Sequence, residues 1–287
     1  MYPMFIGGLI VVCLIVITSR LVVIKREEQV RIQQGLLLTV HLKHIIDSCQ
    51  KHRVSSNTAI QGNDKLESKM SGLQGDIDRV IADVDSQRLS QFAQWQSFAE
   101  HWPRLKKHAL AGELKSRNLI RQHSLMIDGQ LSLLDDLMRD HDLHRMRLDR
   151  GTPVSEICLD TLRVAETVGQ TRAIGAGICA RGVCEGAERI ILDFLRLSVQ
   201  STANELVKQI HTIKNEDLQQ PLKQASGSIS DSISKLLNMV DNRVLQQGRL
   251  QVDGNDYFNT STRAIDELLK VFGIIIHYAS SQHTRMI

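Results

Sequence analysis

Proline and aromatic residues are scarce in this sequence. The 287 residues include four prolines, and aromatic side chains make up 4% of the chain. Because strands favour aromatic residues and their turns favour proline, this composition argues against a β-sandwich or barrel and favours long helices. Hydrophobic residues at 42% and charged residues at 23% are typical of a folded chain, and the length allows about two domains.

The sequence also lacks the common motifs of catalytic and metal sites. Its five cysteines form no C-x-x-C pair, which excludes an obvious zinc site or disulfide framework. No glycine-rich phosphate loop, H-E-x-x-H or G-x-S-x-G motif occurs. His141 and His144 come nearest to a metal site, but a solvated helix end explains them better. A net charge of +3 does not indicate a nucleic-acid partner. We therefore expect no enzymatic activity, no metal and no cofactor.

An apolar run lies near the start of the chain. Residues 4–24 contain one charged residue, Arg20, and about 20 apolar residues in a helix suffice to cross a bilayer. A single transmembrane helix at 4–24 is expected rather than a cleaved signal peptide, because no basic residue precedes the run. Further basic residues follow it at Lys25, Arg26 and Arg31. By the positive-inside rule, the predicted location is the inner or plasma membrane, with a single pass and a cytoplasmic domain.

From about residue 30 the apolar pattern is helical. Seven breaks divide it into eight helices, which predict an all-α fold of two up-down four-helix bundles after the membrane helix. The bundles are expected at 25–148 and 153–287, since Thr152 and Pro153 are typical of a helix start. The predicted breaks lie at 62–64, 86–89, 111–112, 149–153, 182–186, 219–221 and 253–255.

Arg53 and Arg172 interrupt two apolar helical stripes. The stripes are Leu42, Ile46, Cys49, Arg53, Ser56, Ile60 and Cys158, Leu162, Ala165, Gly169, Arg172, Ala176, Cys179. Steps of three and four residues place each set on one helix face, which predicts that both arginines point inward. Neither has an acid four residues away on its own helix. Small residues follow each, and this similarity suggests an internal repeat.

A buried guanidinium without a counter-charge is costly. A carboxylate from another helix would balance it, and so would a small planar oxyanion that fits the guanidinium fork. The spacing alone leaves both interpretations open. Ser56, one turn beyond Arg53, and Arg243 are further candidates for an anion pocket. Arg243 is also explained as a residue that flanks an apolar stripe and reaches water.

Three segments resemble the nitrate- and nitrite-sensing (NIT) domain family. They are HLKHIIDSCQKHRVSSNTAIQGNDKLESKM at 41–70, GQTRAIGAGICARG at 169–182 and NDYFNTSTRAIDELLKVF at 255–272. The resemblance covers about residues 36–280 and implies an all-helical pair of four-helix bundles. It also implies that nitrate or nitrite binds through arginines, here Arg53 and Arg172. No output module fits after Phe272, so a standalone, membrane-anchored member is expected.

These features together predict a membrane-anchored protein that binds a small anion and signals by helix repacking. The expected partners are the membrane, nitrate or nitrite, and a protein partner or a second copy of the chain. The alternative is a membrane-tethered interaction or scaffold module with no small ligand. An acid from another helix beside both arginines would favour this alternative, whereas a pocket that holds both guanidinium groups without acids would favour the sensor.

Overall fold

The computed structural model describes residues 2–60, 67–83, 86–246 and 252–285. Its helices are α1 (Tyr2–Ile60), α2 (Glu67–Asp83), α3 (Ser86–Leu89), α4 (Ala93–Leu110), α5 (Ser116–Asp140), α6 (Val154–Arg181), α7 (Gly186–Thr212), α8 (Glu216–Met239) and α9 (Gly254–Arg285). A 3₁₀ turn at Leu143–Arg145 follows α5, and a π-helical turn at Val240–Val244 continues α8. Within the described ranges the fold is all-α, as predicted.

Local sequence explains several helix ends. Gly182 follows α6 with φ of 72°, and Gly112 follows α4 with φ of 65°, a left-handed conformation that glycine adopts without a steric penalty. Asn215 begins α8, because its side-chain oxygen accepts a hydrogen bond from the Leu218 N–H at 3.2 Å. Gly112 and Gly182 end helices at the predicted breaks 111–112 and 182–186, and Asn215 starts α8.

Two predicted breaks fall on helical residues. The break expected at 86–89 coincides with the one-turn helix α3 at Ser86–Leu89. The break expected at 219–221 is absent, because α8 begins at Glu216 and continues through Pro221. The Asn215 cap starts the helix one turn earlier, and a proline this close to the start removes only one backbone hydrogen bond. The break predicted at 62–64 lies outside the described residues.

The predicted transmembrane helix at 4–24, and with it the membrane location, is also wrong. Among the described residues, no helix combines the length and the apolar character that a bilayer crossing requires. The exposed apolar side chains described in this part of α1 run from Leu14 to Ile24. The side chains of residues 4–13 lie outside the described part.

Helix α6 is the most enclosed segment of the fold. It packs against α1, α5, α7 and α9, and all residues at 171–178 are buried. Small residues permit this enclosure. A Cβ on Gly175 would lie 2.1 Å from the Tyr257 ring of α9, so the glycine lets that ring rest against the helix backbone. The Tyr257 hydroxyl also donates to the Thr171 carbonyl at 2.8 Å. These contacts hold the middle of α6 between α1 and α9.

The remaining contacts follow the order of the chain. Helix α1 packs against α2 and α5, and α4 packs against α5. Helices α6, α7, α8 and α9 pack each against the next, and α9 returns to α6. The division into two up-down bundles at 25–148 and 153–287 stays a prediction.

Candidate anion-binding site

Arg53 is buried and paired with a carboxylate. Glu166 of α6 accepts two hydrogen bonds from its guanidinium, from Nη1 to Oε1 at 2.5 Å and from Nη2 to Oε2 at 3.0 Å. Nη1 also donates to Ser124 Oγ at 2.9 Å. The Arg53 side chain is 0% exposed and that of Glu166 is 4% exposed. A bidentate pair is the strongest geometry available to these groups, so the charge of Arg53 is balanced within the protein.

Two amides complete the surroundings of Glu166. The Gln50 Nε2 donates to Oε2 at 2.8 Å, and the Gln170 Nε2 donates to Oε1 at 3.0 Å. Each carboxylate oxygen therefore accepts two hydrogen bonds. Gly169 lets this network lie close to α6, because a Cβ there would be 2.8 Å from Arg53 Nη2. The carboxylate is thus fully hydrogen-bonded, whereas the Arg53 Nε has no partner among the described residues.

Arg172 is also buried, at 2% exposure, but it makes no ion pair with a described residue. Its Nη1 donates to Thr262 Oγ1 of α9 at 3.0 Å. The guanidinium carbon lies 5.5 Å from the centre of the Phe258 ring, a cation–π contact. Its Nε has no hydrogen-bond partner among the described residues. Arg172 is therefore a buried cation with a vacant donor.

The electrostatic surroundings of Arg172 disfavour its charged form. Its pKa is lowered to about 10, mainly by burial and in part by the neighbouring guanidinium of Arg53. Asp47, Asp266 and Glu166 act in the opposite direction with smaller effects. Arg172 stays protonated at neutral pH. Because Glu166 balances the charge of Arg53, the attraction for an anion at this place comes from Arg172 itself.

A cavity of about 470 Å³ lies beside α6, and neither Arg53 nor Arg172 lines it. Its walls come from α1, α6 and the beginning of α9, and their polar groups are Ser55, Thr58, Asn255 and Asn259 together with the acid Asp253. Phe258 belongs to the cavity wall and also contacts Arg172. The cavity therefore reaches the ring on which the guanidinium lies, but not the guanidinium itself.

The two secondary candidates lie elsewhere. Ser56 Oγ donates to the His52 carbonyl at 2.7 Å and lies 3.2 Å from Met70 Sδ, so it faces α2. Arg243 is exposed in the π-helical turn and lines a different groove, between α8 and α9. Helix packing thus brings Arg53 and Arg172 together and leaves Ser56 and Arg243 apart from them.

Sequence reasoning missed Glu166. It lies four residues after Leu162 and three before Gly169, on the same helix face as the predicted stripe. It is also the only acid between Asp160 and Glu185. A single acid in a long apolar helix was the signal that a partner for a buried arginine was present.

A pair of buried histidines lies beside the ion pair. His52 Nδ1 is 2.7 Å from His123 Nε2, and His123 Nδ1 is 2.9 Å from the Leu119 carbonyl. The carbonyl can only accept, so His123 donates from Nδ1 and accepts at Nε2, and His52 donates to it. Burial lowers the pKa of His52 to about 4 and that of His123 well below its ordinary value. Both rings are therefore neutral at pH 7.

The cysteines near the site are poor ligands and poor nucleophiles. Burial raises the pKa of Cys49 to about 12 and also raises that of Cys158, so neither forms a thiolate at neutral pH. Among the side chains that the structure describes, no cluster of His, Cys, Asp and Glu is arranged for a metal ion.

Comparisons with known proteins bear on the family and the fold rather than on individual site residues. A family model described as nitrate and nitrite sensing (NIT) matches residues 44–272, a range that includes Arg53, Glu166 and Arg172. A search of curated protein sequences found no match. A solved structure described as that of the NasR transcription antiterminator matches with a TM-score of 0.65 and 16% sequence identity, over 95% of this chain and 74% of that chain. At this identity, the likeness shows the fold alone.

Proposed function

The chain belongs to the nitrate- and nitrite-sensing (NIT) domain family, and from that premise we propose that it binds nitrate or nitrite at Arg172. One observation carries the proposal: the Arg172 guanidinium is buried, makes no ion pair with a described residue and leaves its Nε without an acceptor. A bound oxyanion would supply both the missing charge and the missing acceptor. Nitrate and nitrite present planar oxygens that match the guanidinium fork.

The neighbouring ion pair would select the charge of the ligand. Arg53 and Glu166 cancel one another, so together with Arg172 they leave a single positive charge. A monovalent anion brings this group to neutrality, whereas a divalent anion would leave an excess negative charge in a buried position. Since burial of excess charge is costly, the arrangement favours nitrate or nitrite over sulfate.

The signal would pass through α6. This helix carries Glu166 and Arg172, and it packs against α1 and α9. An anion bound at Arg172 would favour one packing of α6 against α1, and it shifts the equilibrium by its difference in affinity for the two packings. A protein partner that contacts only one packing would then detect the anion. The family description and the regulatory neighbour support a sensor rather than an enzyme.

Thermal unfolding of the full chain tests the proposal. Nitrate, nitrite and chloride are titrated at fixed ionic strength, and nitrate at about 100 times its dissociation constant should stabilise the fold by roughly 2.7 kcal/mol. Arg172→Gln should abolish the shift. Arg163→Gln, an exposed position on the same helix, should keep it. An equal shift with chloride, or a nitrate shift that persists in Arg172→Gln, would refute the proposed site.

A second candidate function is an interaction module with no small ligand. It is favoured by the internal neutralisation of Arg53 and by an exposed apolar face of α7, where Ile190 is 73% exposed and Phe194 is 67% exposed. Under this alternative, nitrate leaves the unfolding temperature unchanged. Sedimentation equilibrium would instead show an assembly whose mass falls in Phe194→Lys.

A further inference from the structure

A groove between α8 and α9, separate from the Arg172 site, is lined by three cations. It has a volume of about 470 Å³, and its cations are Lys235 of α8, Arg243 of the π-helical turn and Arg263 of α9. No acidic residue lines it. None of the three cations forms an ion pair with a described residue. We refer to this cavity as the cationic groove.

Neutral hydrogen-bond donors fill the spaces between these charges. Asn238 and Asn242 lie one helical turn apart on the α8 side, and Thr260 lies opposite them on α9. Amide and hydroxyl groups donate well to oxyanions. The lining includes Met239 but no aromatic residue, so it lacks a surface on which a base or sugar ring would stack. The groove is thus equipped for charged oxygens rather than for a nucleoside.

The π-helical turn shapes one end of the groove. The Leu245 N–H donates to the Val240 carbonyl at 2.9 Å, a bond that spans five residues instead of four. Asn242 and Arg243 lie inside this wider turn and enter the groove from it. Such turns are rare in helices and occur frequently at functional sites.

The acidic residues nearest in sequence to the three cations do not balance the positive charge of the groove. Asp241 lies in the same turn as Arg243, but it pairs with Arg196 of α7 at 3.1 Å. Asp231 precedes Lys235 by one turn and does not line the groove.

On α9, Asp266 and Glu267 follow Arg263 by three and four residues. Neither lines the groove, and Glu267 pairs with Lys270. The groove therefore keeps three positive charges, whereas the group around Arg172 keeps one.

From this difference we propose that the cationic groove binds a compact polyvalent oxyanion, a diphosphate group, as a second anion site. Three cations, two from α8 and the π-helical turn that continues it and one from α9, match the charge of a diphosphate, and the amides and the hydroxyl can hold its remaining oxygens. The site does not depend on nitrate binding at Arg172.

Isothermal titration calorimetry of the full chain with sodium diphosphate, at fixed ionic strength, tests the proposal. We expect Arg263→Gln and Lys235→Gln each to weaken binding about tenfold, because each removes one charge-assisted contact. Lys223→Gln, an exposed lysine three turns earlier on α8, is the matched control and should bind like the unaltered chain. Far-UV circular dichroism shows that all variants keep their helices.

Three further titrations distinguish the cationic groove from the nitrate site and from a nucleotide site. Arg172→Gln should bind diphosphate normally, which separates this site from the nitrate site. Nitrate should not compete with diphosphate, and ADP should bind no tighter than diphosphate, since the groove offers nothing to a base. Diphosphate affinity that is equal in the two groove variants and the control would overturn the proposal, as would ADP binding more than tenfold tighter than diphosphate.

Discussion

Arg53 and Arg172 occupy matching positions on two buried helical stripes, but their surroundings differ. Arg53 makes a bidentate ion pair with Glu166, and two glutamine amides complete the network. Arg172 has one threonine, one aromatic ring and a vacant Nε. The Nε atoms of both arginines lack a partner among the described residues, so the two surroundings differ in the counter-charge. Arg53 has a counter-charge within the protein, and we propose that an external anion supplies it to Arg172. Both side chains are buried, so the counter-charge rather than the depth of burial distinguishes the candidate binding residue.

The largest effect on the free energy of unfolding is expected at the ion pair between Arg53 and Glu166. Glu166→Gln should lower the free energy of unfolding by about 3–5 kcal/mol, because it leaves the Arg53 charge buried without a partner. Urea denaturation of the variant and the unaltered chain measures the difference. Gln170→Ala removes only one peripheral hydrogen bond to the same carboxylate and serves as the control. A loss below about 1 kcal/mol in Glu166→Gln would mean that the ion pair does not hold the fold.

A smaller loss of stability is expected at acidic pH. It should come from His52 and His123, which lie beside the Arg53–Glu166 ion pair. The folded pKa of His52 is about 4, whereas that of an unfolded histidine is near 6.5. Between these values the unfolded chain binds more protons, so stability falls as the pH decreases. The loss between pH 7 and pH 5 should be about 2 kcal/mol from His52, with a further loss from His123.

Urea denaturation at pH 7, 6 and 5 measures this dependence. His52→Asn removes one of the two titrating groups, although the variant is less stable at pH 7. Its free energy of unfolding should therefore depend less on pH, and the contribution of His123 should remain. His277→Asn, at an exposed position on α9, should keep the slope of the unaltered chain. Parallel profiles for the unaltered chain and His52→Asn would contradict the assignment of a neutral buried histidine.

The smallest effect on stability is expected at Arg172 in the absence of nitrate. Arg172→Leu should change the free energy of unfolding by less than about 1 kcal/mol, because loss of the Thr262 hydrogen bond is offset by removal of an uncompensated buried charge. Urea denaturation in nitrate-free buffer checks this value. A loss as large as that of Glu166→Gln would show that Arg172 is a structural residue like Arg53.

The sequence predicts the helices and the burial of both arginines well, because these depend on local signals. Gly112 and Gly182 mark helix ends, and steps of three and four residues place the arginines inward. The sequence did not indicate which of the two arginines has a counter-charge within the protein. Glu166 pairs with a residue 113 positions away, which depends on how α1 packs against α6 rather than on either helix alone. Sequence spacing therefore left the two interpretations of each arginine open.

The wrong predictions have local causes too. Proline was given more weight than the asparagine cap at 215, which moved the expected start of α8. The apolar run at 4–24 was judged by its length, its composition and its flanking charges, whereas no described helix is long and apolar enough to cross a bilayer.

Calorimetric titration of nitrate into the full chain, compared with Arg172→Gln, tests the central claim most directly. The account predicts one nitrate per chain, binding abolished in Arg172→Gln and binding retained in Arg163→Gln. Equal nitrate binding by the unaltered chain and Arg172→Gln would contradict it, because the buried guanidinium without a counter-charge would then not be the anion site.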